Sequence, residues 1–498
     1  MRSQFAPPRR GLPNIGHAGV LLLLTLTALL IHGYHPFSED AGIYVPQIRR
    51  LLHPALYPFG SQFFETHARL TFFPNLVAAL VRLTRLPLSV VLFVCHLASI
   101  FLLLFVCLRI ASKCFPTGAG RWGAVALVAA LLTLPATGTA LYLLDPYFNP
   151  RSISTFAILF AVDAALERKP LRAVLWLIFT GLIHPLMIVF GAFYVALIAL
   201  TQNAEARKRM QAASGAAIAI AAPGFLHPSA EFFQSLRDHP YYFVLRWRWY
   251  EWIGIFAPLA ILWWLSRIAD AKRRPAFKTL AFSLIPFGAA CFAGALIVSI
   301  PRIQMLLIGQ PMRGFQLLYL LMVLLAGGLL GEIFLKRRVL LWIALFLPIC
   351  AGMGYAQFEL YPADPHVEWP GASSTNPWVQ AFTWIRANTP EDAIFALDPN
   401  YMALRDEDHQ GFRAIAARSS LADAVKDWSA SAMFPGLPLA TEVSEQVHAA
   451  QGWRSFGLAG FERLKKTYGA AWVVLDRPPP AGLVCPYQNR RVIVCRVP

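Results

Sequence analysis

Two adjacent carboxylates stand out in a sequence that has few acids. Glu39 and Asp40 lie side by side in HPFSEDAGIYVP, directly after the first long apolar run, although the chain has only 27 Asp and Glu among 498 residues. A third acid, Asp145, lies in LLDPYFNP, after the third apolar run. A carboxylate in such a place could act as a general base, or could hold a divalent metal against a phosphate.

The same acids could instead cap helices. Ser38 can cap a helix that runs through GIYVPQI, and acids in its first turn suit the helix dipole. Asp145 is followed by proline, and Asp-Pro pairs open turns and helices. A cap needs only one or two of Ser38, Glu39 and Asp40, so both interpretations stay open.

Four further residues could bind a substrate. His184 in GLIHPLM falls at a helix break, where packing is the alternative, and Arg313 in QPMRGF could clamp a lipid phosphate, with snorkelling to the interface as the alternative. Arg248 and Glu251 lie in RWRWYEWIG, which is mainly an aromatic belt but could turn either residue into a cavity. A charged stretch that contains Arg413, Asp423, Lys426 and Asp427 is typical of a solvated face.

Composition places the chain among membrane proteins. Hydrophobic residues make up 57% and charged residues only 14%, and the mean hydropathy is +0.51. The apolar runs are about 18–25 residues long, enough to cross a bilayer, and they lack the alternation of strands. We expect a polytopic α-helical membrane protein with about 11 transmembrane helices, at 17–34, 88–108, 122–143, 150–166, 172–183, 186–201, 212–226, 252–266, 279–300, 314–335 and 339–357.

Basic residues set the expected orientation. Lys and Arg clusters precede the first span and follow the second, fourth, sixth, eighth and tenth, so all of them fall on one side, the cytoplasm. Segment 72–87 would invert this order as a span, and we expect it to be an amphipathic helix on the outer surface. The formal charge of +17 is dispersed over these loops, which argues against nucleic-acid binding.

The residues after the last span differ in composition and predict a second domain. We expect a transmembrane domain over 1–357 and a small extracytoplasmic α/β domain over 358–498, because the strands AIFAL and AWVVLD alternate with helices and a hairpin follows. Cys485 and Cys495 are the only cysteines there. A disulfide between them is the prediction, and two free strand cysteines are the alternative.

This arrangement resembles the GT-C superfamily of integral membrane glycosyltransferases. The acid-x-x-x-Tyr spacing is Asp40 to Tyr44, LLHPALYP (51–58) is similar to the next loop motif, and LLDPYFNP (143–150) is similar to the second acid motif. The outer segments WIRANTPEDAIF and RAIAARSSLADAVKD resemble those of a bacterial subgroup with this plan. The familiar Asp-Glu order of the family is reversed here to Glu39-Asp40.

The resemblance implies a function at the cell envelope. Such enzymes are multi-pass proteins of the bacterial cytoplasmic (inner) membrane that move a sugar from a polyprenyl-phosphate donor to an acceptor on the outer face. Asp40 would deprotonate or contact the acceptor, Glu39 and Asp145 would be further site acids, and Tyr44 matches by spacing. The cofactor stays open; if a divalent metal is used, Asp40 and Asp145 would hold it.

Two other functions stay open beside the enzyme. One is a non-catalytic membrane protein whose outer domain binds a partner. The other is a transporter of lipid-linked glycan, for which inverted repeats and broken helices with polar groups at the midplane would be typical; the sequence shows no clear internal repeat. Membrane lipids are partners in each case, while the sugar, the acceptor and the oligomeric state stay open.

Overall fold

The computed structural model describes residues 15–202, 228–271 and 274–498, and helices dominate its first 360 residues. A π-helical turn, Leu330–Leu335, directly follows the helix that ends at Leu329. The α-helices of this part are α1 (Ile15–His32), α2 (Ala41–Leu52), α3 (Gln62–Ala68), α4 (Phe73–Thr84), α5 (Leu88–Cys114), α6 (Gly118–Ala130), α7 (Pro150–Leu166), α8 (Pro170–Ile183), α9 (Pro185–Gln202), α10 (Ala230–Arg237), α11 (Trp249–Ala271), α12 (Pro275–Val298), α13 (Phe315–Leu329) and α14 (Val339–Leu360).

Several of these helices are long and apolar enough to cross a membrane. Every predicted span overlaps a helix except 212–226, which lies outside the described residues, and the count of 11 stays a prediction. The chain is therefore a multi-pass membrane protein. Within the described residues, six stretches meet the length and composition of a span: Leu88–Cys114, Pro185–Gln202, Trp249–Ala269, Pro275–Val298, Pro301–Leu335 and Val339–Leu360.

The third predicted span, 122–143, is helical only in its first part. Helix α6 ends at Ala130, and the chain then forms a two-stranded hairpin of β1 (Pro135–Ala136) and β2 (Leu141–Tyr142). The predicted helix over 131–143 is wrong because Pro135 lacks an amide donor and Gly138, at φ 58°, turns the chain back. The hairpin delivers the chain to Asp145.

The segment predicted as a surface helix forms a short helix. Helix α4 has 12 residues, which is about 18 Å at 1.5 Å per residue. That length is well short of the bilayer core of about 30 Å. This helix is therefore not among the stretches that meet the length of a span, and its place on the outer surface stays a prediction.

Basic residues at one end of the helices pair with acids there. Arg109 at the end of α5 lies 2.7 Å from Asp163 near the end of α7, and Lys113 also pairs with Asp163. Arg274, just before α12, pairs with Glu332 in the π-helical turn. Basic residues that follow the second and the eighth predicted span therefore pair with acids near the ends of the fourth and the tenth. The basic clusters before the first span and after the sixth lie outside the described residues.

Small residues allow α6 and α13 to pack closely. A Cβ atom on Gly123 would lie 2.5 Å from the carbonyl oxygen of Gly327 and 2.8 Å from the Cα of Gly331. The spacing of Gly327 and Gly331 thus serves helix packing, as GxxxG pairs commonly do.

The C-terminal part has the expected α/β composition. Its sheet has the order β4-β3-β5-β7-β6, in which β3 is parallel to β4 and β5, while β7 is antiparallel to β5 and β6. Cys485 and Cys495 are joined in a disulfide across β6 and β7, as expected. The elements are α15 (Pro377–Asn388), β3 (Ile394–Ala396), α16 (Phe412–Ala416), β4 (Ser419–Ser420), α17 (Lys426–Ser431), α18 (Leu439–Ala449), α19 (Leu458–Tyr468), β5 (Trp472–Leu475), β6 (Val484–Gln488) and β7 (Ile493–Arg496).

The loop between α1 and α5 docks against this α/β part. Gly411 donates its backbone N–H to the carbonyl of Phe37 at 2.9 Å. Arg49 in α2 donates to the carbonyl of Ala414 at 2.8 Å, and the Tyr57 hydroxyl donates to that of Arg413 at 2.8 Å. These contacts hold the loop that carries the acids against residues more than 350 positions later in the sequence.

Candidate active site

Four elements bring charged side chains to one place. Asp40 stands at the start of α2, and Arg151 lies in the first turn of α7. Lys426 begins α17 in the α/β part, and Arg313 lies in the 3-10 turn that leads into α13. The ends of membrane helices and the α/β part therefore share this site.

Arg151 joins Asp40 to Asp145. Its Nη1 donates to Oδ2 of Asp40 at 2.7 Å, and its Nε donates to Oδ2 of Asp145 at 3.0 Å. The Asn149 amide also donates to Oδ2 of Asp145 at 2.7 Å. Asp145 is buried, so its charge holds Arg151 in place from behind. Arg151 thus bridges Asp40 and Asp145.

Lys426 binds the other side of the acid pair. Its Nζ lies 3.2 Å from Oδ1 of Asp40 and pairs with Glu39 as well. The backbone of Glu39 has φ 54°, in the left-handed region that non-glycine residues rarely adopt. Its N–H donates to the carbonyl of His409 at 2.9 Å.

The side chains of Asp40 and Asp145 do not cap helices. The Asp40 side chain makes no capping hydrogen bond to α2, and Ser38 donates its hydroxyl to the carbonyl of His35 at 3.0 Å instead. At α7 the cap is Asn149, whose side chain accepts from the backbone N–H of Ser152. The capping interpretation of these acids is therefore wrong, since their carboxylates face cations from other elements.

The paired charges determine ionisation at the site. Burial alone would raise the pKa of the Asp40 carboxyl, but Lys426 and Arg151 hold that pKa well below its usual value. Burial also opposes the positive charge of Lys426, and Glu39 with Asp40 overcomes it and raises the pKa of the amine. Asp40 and Lys426 are consequently both charged at neutral pH.

A cavity of about 380 Å³ opens onto this cluster. Val189 of α9 lines it and is 59% exposed. The polar wall denotes its lining residues Asp40, Tyr44, His67, Arg151, His184, Arg313 and Lys426, and the apolar wall denotes Ile43, Ile183, Leu186, Val189 and Ile308.

Tyr44 and His67 form a pair on the polar wall. The Tyr44 hydroxyl lies 3.2 Å from Nε2 of His67. Burial lowers the pKa of His67 to about 4, so the ring is neutral at neutral pH. Tyr44, predicted from its spacing to Asp40, therefore lies beside Asp40 as a hydrogen-bonding group.

Arg313 differs from the other two cations of the cavity. Among the described residues its guanidinium has no hydrogen-bonded or ion-paired partner, and its Nε is buried without one. Arg151 and Lys426 are both already paired with carboxylates. Arg313 is thus the cation of the cavity that is best able to take an external anion.

Four predicted site residues do not line this cavity. Two of them, Glu39 and Asp145, pair with its cations, and the other two are Arg248 and Glu251. Glu251 accepts from the backbone N–H of Arg248 at 2.6 Å, at the start of α11. The Arg248 side chain is exposed and donates to the Tyr250 hydroxyl at 3.0 Å. The structure therefore places both in the aromatic belt, apart from Asp40. His184, by contrast, lies at the break between α8 and α9 and does line the cavity.

The charged stretch of the α/β part is not a solvated face. Arg413 and Asp427 form a buried bidentate pair with both distances at 2.8 Å, and Asp423 is buried beside them. Arg418 is also buried and donates to the carbonyl of Thr389 at 2.7 Å. This interpretation of the sequence was wrong because the charges compensate one another inside the fold, which leaves Lys426 free to face the cavity.

Sequence reasoning missed Arg151, Lys426 and His67. The signal for Arg151 was present, since a basic residue follows Asp145 in DPYFNPR at the outer end of a predicted span, where a cytoplasmic loop is not expected. Lys426 carried no such signal. Its contact with Asp40 depends on tertiary packing across 386 positions.

A divalent metal shared by Asp40 and Asp145 does not fit this arrangement. The Arg151 guanidinium occupies the place between the two carboxylates, and Lys426 binds the remaining oxygen of Asp40. A metal ion there would need those oxygens as ligands and would be repelled by two adjacent cations.

A larger cavity of about 800 Å³ lies elsewhere, against α18 and α10. Trp428, Trp453 and Asp398 are among the residues that line it, while Asp40, Arg151 and Arg313 do not. Because it lacks the converging charged groups, we assign the chemistry to the smaller cavity.

Comparison with known proteins supports the fold. No protein-family model matches the chain, and no curated protein matches it by sequence. The apo crystal structure of an oligosaccharyltransferase from Archaeoglobus fulgidus is similar, with a TM-score of 0.52 and 13% identity, over 92% of this chain and 69% of that one. The oligosaccharyltransferase AglB from the same archaeon, in complex with an inhibitory peptide and a dolichol-phosphate, has a TM-score of 0.50 and 12% identity, over 93% and 69%.

These matches cover nearly the whole chain. At such low identity they show the fold alone, so the chain shares the overall architecture of these two oligosaccharyltransferase structures.

Proposed function

We propose that this protein transfers a sugar from a polyprenyl-phosphate donor to an acceptor on the extracytoplasmic face of a bacterial cytoplasmic membrane. The observation that carries the proposal is the cavity shared by the Asp40 carboxylate and the unpaired Arg313 guanidinium. The shared architecture and the dolichol-phosphate bound by one similar structure support the same substrate class.

The donor lies on the apolar side of the cavity. Its lipid chain follows the wall of Leu186 and Val189 to the exposed face of α9. Its phosphate meets Arg313, because a guanidinium offers planar, charge-assisted hydrogen bonds to phosphate oxygens. His184, at the break before α9, also lines the cavity.

The acceptor lies on the side of Asp40. Both oxygens of this carboxylate already accept one hydrogen bond, from Arg151 and Lys426, and each has a further lone pair for an acceptor hydroxyl. Asp145 does not touch the cavity and acts as a positioning residue, because it orients Arg151. Glu39 does the same for Lys426.

The bond changes follow from these positions. The acceptor oxygen attacks C1 of the sugar, the bond from C1 to the phosphate oxygen breaks, and the polyprenyl phosphate leaves with the electron pair. Asp40 receives the hydroxyl proton as the new bond forms and later releases it to water. Arg313 stabilises the negative charge on the leaving phosphate, as preorganised cations do in a cavity of low dielectric.

The test compares cell-envelope glycans by mass spectrometry. Cells carry the wild-type gene, a deletion, Asp40→Asn or Asp406→Asn, at matched protein level. Asp406 is the control because it is a half-exposed acid far from the cavity, 3.8 Å from Arg491. We expect the deletion and Asp40→Asn to lose the same single sugar, because loss of a general base costs about 10²–10⁴-fold in rate, and Asp406→Asn to keep it.

Other outcomes exclude the proposal. If the deletion changes the profile while Asp40→Asn does not, Asp40 is not catalytic and transport or partner binding explains the phenotype. If the deletion leaves all envelope glycans unchanged, the protein transfers no sugar in the envelope.

A further inference from the structure

A second cluster of buried polar side chains lies between the end of α1 and the α/β part, apart from the cavity. It consists of His35, Asp364, Glu368 and Gln410. The His35 and Glu368 side chains are 0% and 10% exposed, and Asp364 and Gln410 are 7% and 0% exposed. Water therefore has little access to groups that are normally solvated or paired.

Main-chain pairing fixes three of these side chains next to each other. Tyr34 and Val367 form a parallel β-bridge, which places His35 beside Glu368 with Nδ1 and Oε1 3.1 Å apart. The Gln410 amide nitrogen donates to Asp364 at 2.7 Å and to Glu368 at 3.1 Å. One ligand atom from each of His35, Asp364 and Glu368 lies within 4.8 Å of the others.

The cluster lacks a compensating cation among the described residues. Neither Asp364 nor Glu368 pairs with a lysine or arginine there, and the ion partner of Glu368 is His35. Nε2 of His35, Oδ1 of Asp364 and Oε1 of Gln410 are buried without a hydrogen-bond partner. A bound cation would compensate the two buried carboxylates and use these free acceptor atoms.

We propose that His35, Asp364 and Glu368 bind a structural divalent transition metal, Zn²⁺ by chemistry, with Gln410 as the fourth ligand. Imidazole nitrogen and carboxylate oxygen are common zinc ligands, and a closed four-ligand site is typical of structural zinc. Ligand atoms on tetrahedral zinc lie about 3.4 Å apart, so the three groups need only a small closure. Rotation of the Gln410 amide by 180° turns its oxygen toward the site.

The His35 ring is already oriented for this role. It stacks on Tyr361, with the ring centres 3.8 Å apart and the planes inclined by 16°. Stacking of this kind restricts the ring and reduces the entropy that metal binding must overcome. The ligands come from the loop after α1, from the segment after α14, and from the α/β part.

The metal would then clamp the loop that carries Asp40. Ser38 forms a β-bridge with Gln410, and Glu39 donates its N–H to His409. A metal ion bound by both His35 and Gln410 would therefore hold the segment of Ser38 and Glu39 against His409 and Gln410. The site takes no part in bond making and stands independently of the proposed glycosyl transfer.

The experiment measures metal content and stability of the purified full-length protein in detergent. The protein is stripped with a chelator, incubated with Zn²⁺ and passed through a desalting column, and zinc per chain is then measured by mass spectrometry. We expect about one zinc per chain and a higher thermal unfolding midpoint with Zn²⁺ than without, because a ligand that binds only the folded state stabilises it.

Isosteric variants locate the ion. Asp364→Asn and Glu368→Gln keep the side-chain shape, and we expect them to lose both the bound zinc and the shift in midpoint. Asp408→Asn is the matched control: this acid is buried nearby, and its Oδ2 accepts the N–H groups of Ala363 and Asp364. It should keep the zinc. The proposal is overturned if the wild type retains no zinc, or if the two ligand variants retain as much as the wild type.

Discussion

Asp40 lies between two cations that come from distant parts of the chain. Arg151 holds one of its oxygens at 2.7 Å and Lys426 holds the other at 3.2 Å. The two cations face three acids, since Asp145 and Glu39 bind them from the far side. Arg313, which has no partner among the described residues, adds a third positive charge to those of Arg151 and Lys426. The formal charges of the three cations and the three acids therefore sum to zero. Negative charge on a bound phosphate thus finds one unpaired cation.

Lys426 stabilises the folded protein through its charge, and the effect depends on pH. Lys426 pairs with Asp40 and Glu39, and it lowers the pKa of both carboxyls against the opposing effect of burial. A lowered pKa means that the stabilisation is present above the unfolded-state value of about 4 and is lost as the pH falls toward the folded-state value. We therefore expect Lys426→Met to lower the thermal unfolding midpoint at pH 7, with a difference from wild type that shrinks below about pH 4.

The measurement is the unfolding midpoint across pH in detergent. Lys466→Met is the control because Lys466 is an exposed lysine of α19, away from the cavity. A pH-independent difference for Lys426→Met, or an equal difference for the control, would show that the ion pairs do not stabilise this site.

At the scale of elements, the start of α2 and the first turn of α7 are the parts that place Asp40 and Arg151. The positive φ of Glu39 turns the chain so that Glu39 and Asp40 bind Lys426 together. The break at His184 lets α8 and α9 line one cavity wall with Ile183 and Leu186. Strain and breaks therefore occur where the chemistry is proposed, as is common for functional sites.

The contact of α6 with α13 has no space for a side chain at Gly327. A Cβ there would lie 2.6 Å from the carbonyl oxygen of Gly123 and 2.7 Å from the Cβ of Leu127. We expect Gly327→Ala to separate the helices and to cost about 1–3 kcal/mol of unfolding free energy, as overpacking does.

Gly352 in α14 provides the matched control. A Cβ on this residue has nothing within 4 Å, so Gly352→Ala should leave the thermal unfolding midpoint of the purified protein unchanged or slightly raised. Equal midpoints for the two variants would contradict the close packing of α6 and α13.

The elements themselves were largely predictable from the sequence. Apolar runs gave helices because backbone groups in a bilayer must be satisfied within the segment. The strands AIFAL and AWVVLD became β3 and β5, and Gly469, at φ 75°, ends α19, the helix directly before β5. The prediction of the third span was wrong after Ala130, where α6 ends. The sequence stays apolar beyond this residue, but Pro135 and Gly138 turn the backbone into a hairpin.

At the scale of the whole molecule, the site depends on two parts that the sequence separates. The loop after α1 supplies Asp40, and the α/β part supplies Lys426. Composition and motifs predicted the first, because acids are rare in the chain and Asp40 stands at the end of a span. The second could not be predicted, since local sequence does not report which surface faces a cavity and the neighbouring charges compensate one another internally.

The arrangement also distinguishes this site from one built around a metal. Arg151 lies where a cation shared by Asp40 and Asp145 would lie. The divalent-metal cluster that we infer lies instead at His35, Asp364 and Glu368, where it would join the two parts of the molecule. Structural and chemical roles are thus assigned to separate groups.

The most direct test of the proposed transfer is the amount of donor lipid in cells. Lipid extracts from cells with the wild type, Asp40→Asn and Arg313→Gln would be measured by mass spectrometry for polyprenyl-phosphate-linked sugars, with Arg491→Gln as a control at an exposed arginine. We expect one such lipid to accumulate in both cavity variants and to stay at the wild-type level in the control. If no polyprenyl-phosphate sugar changes in either cavity variant while both proteins are folded and present, the cavity does not consume such a donor.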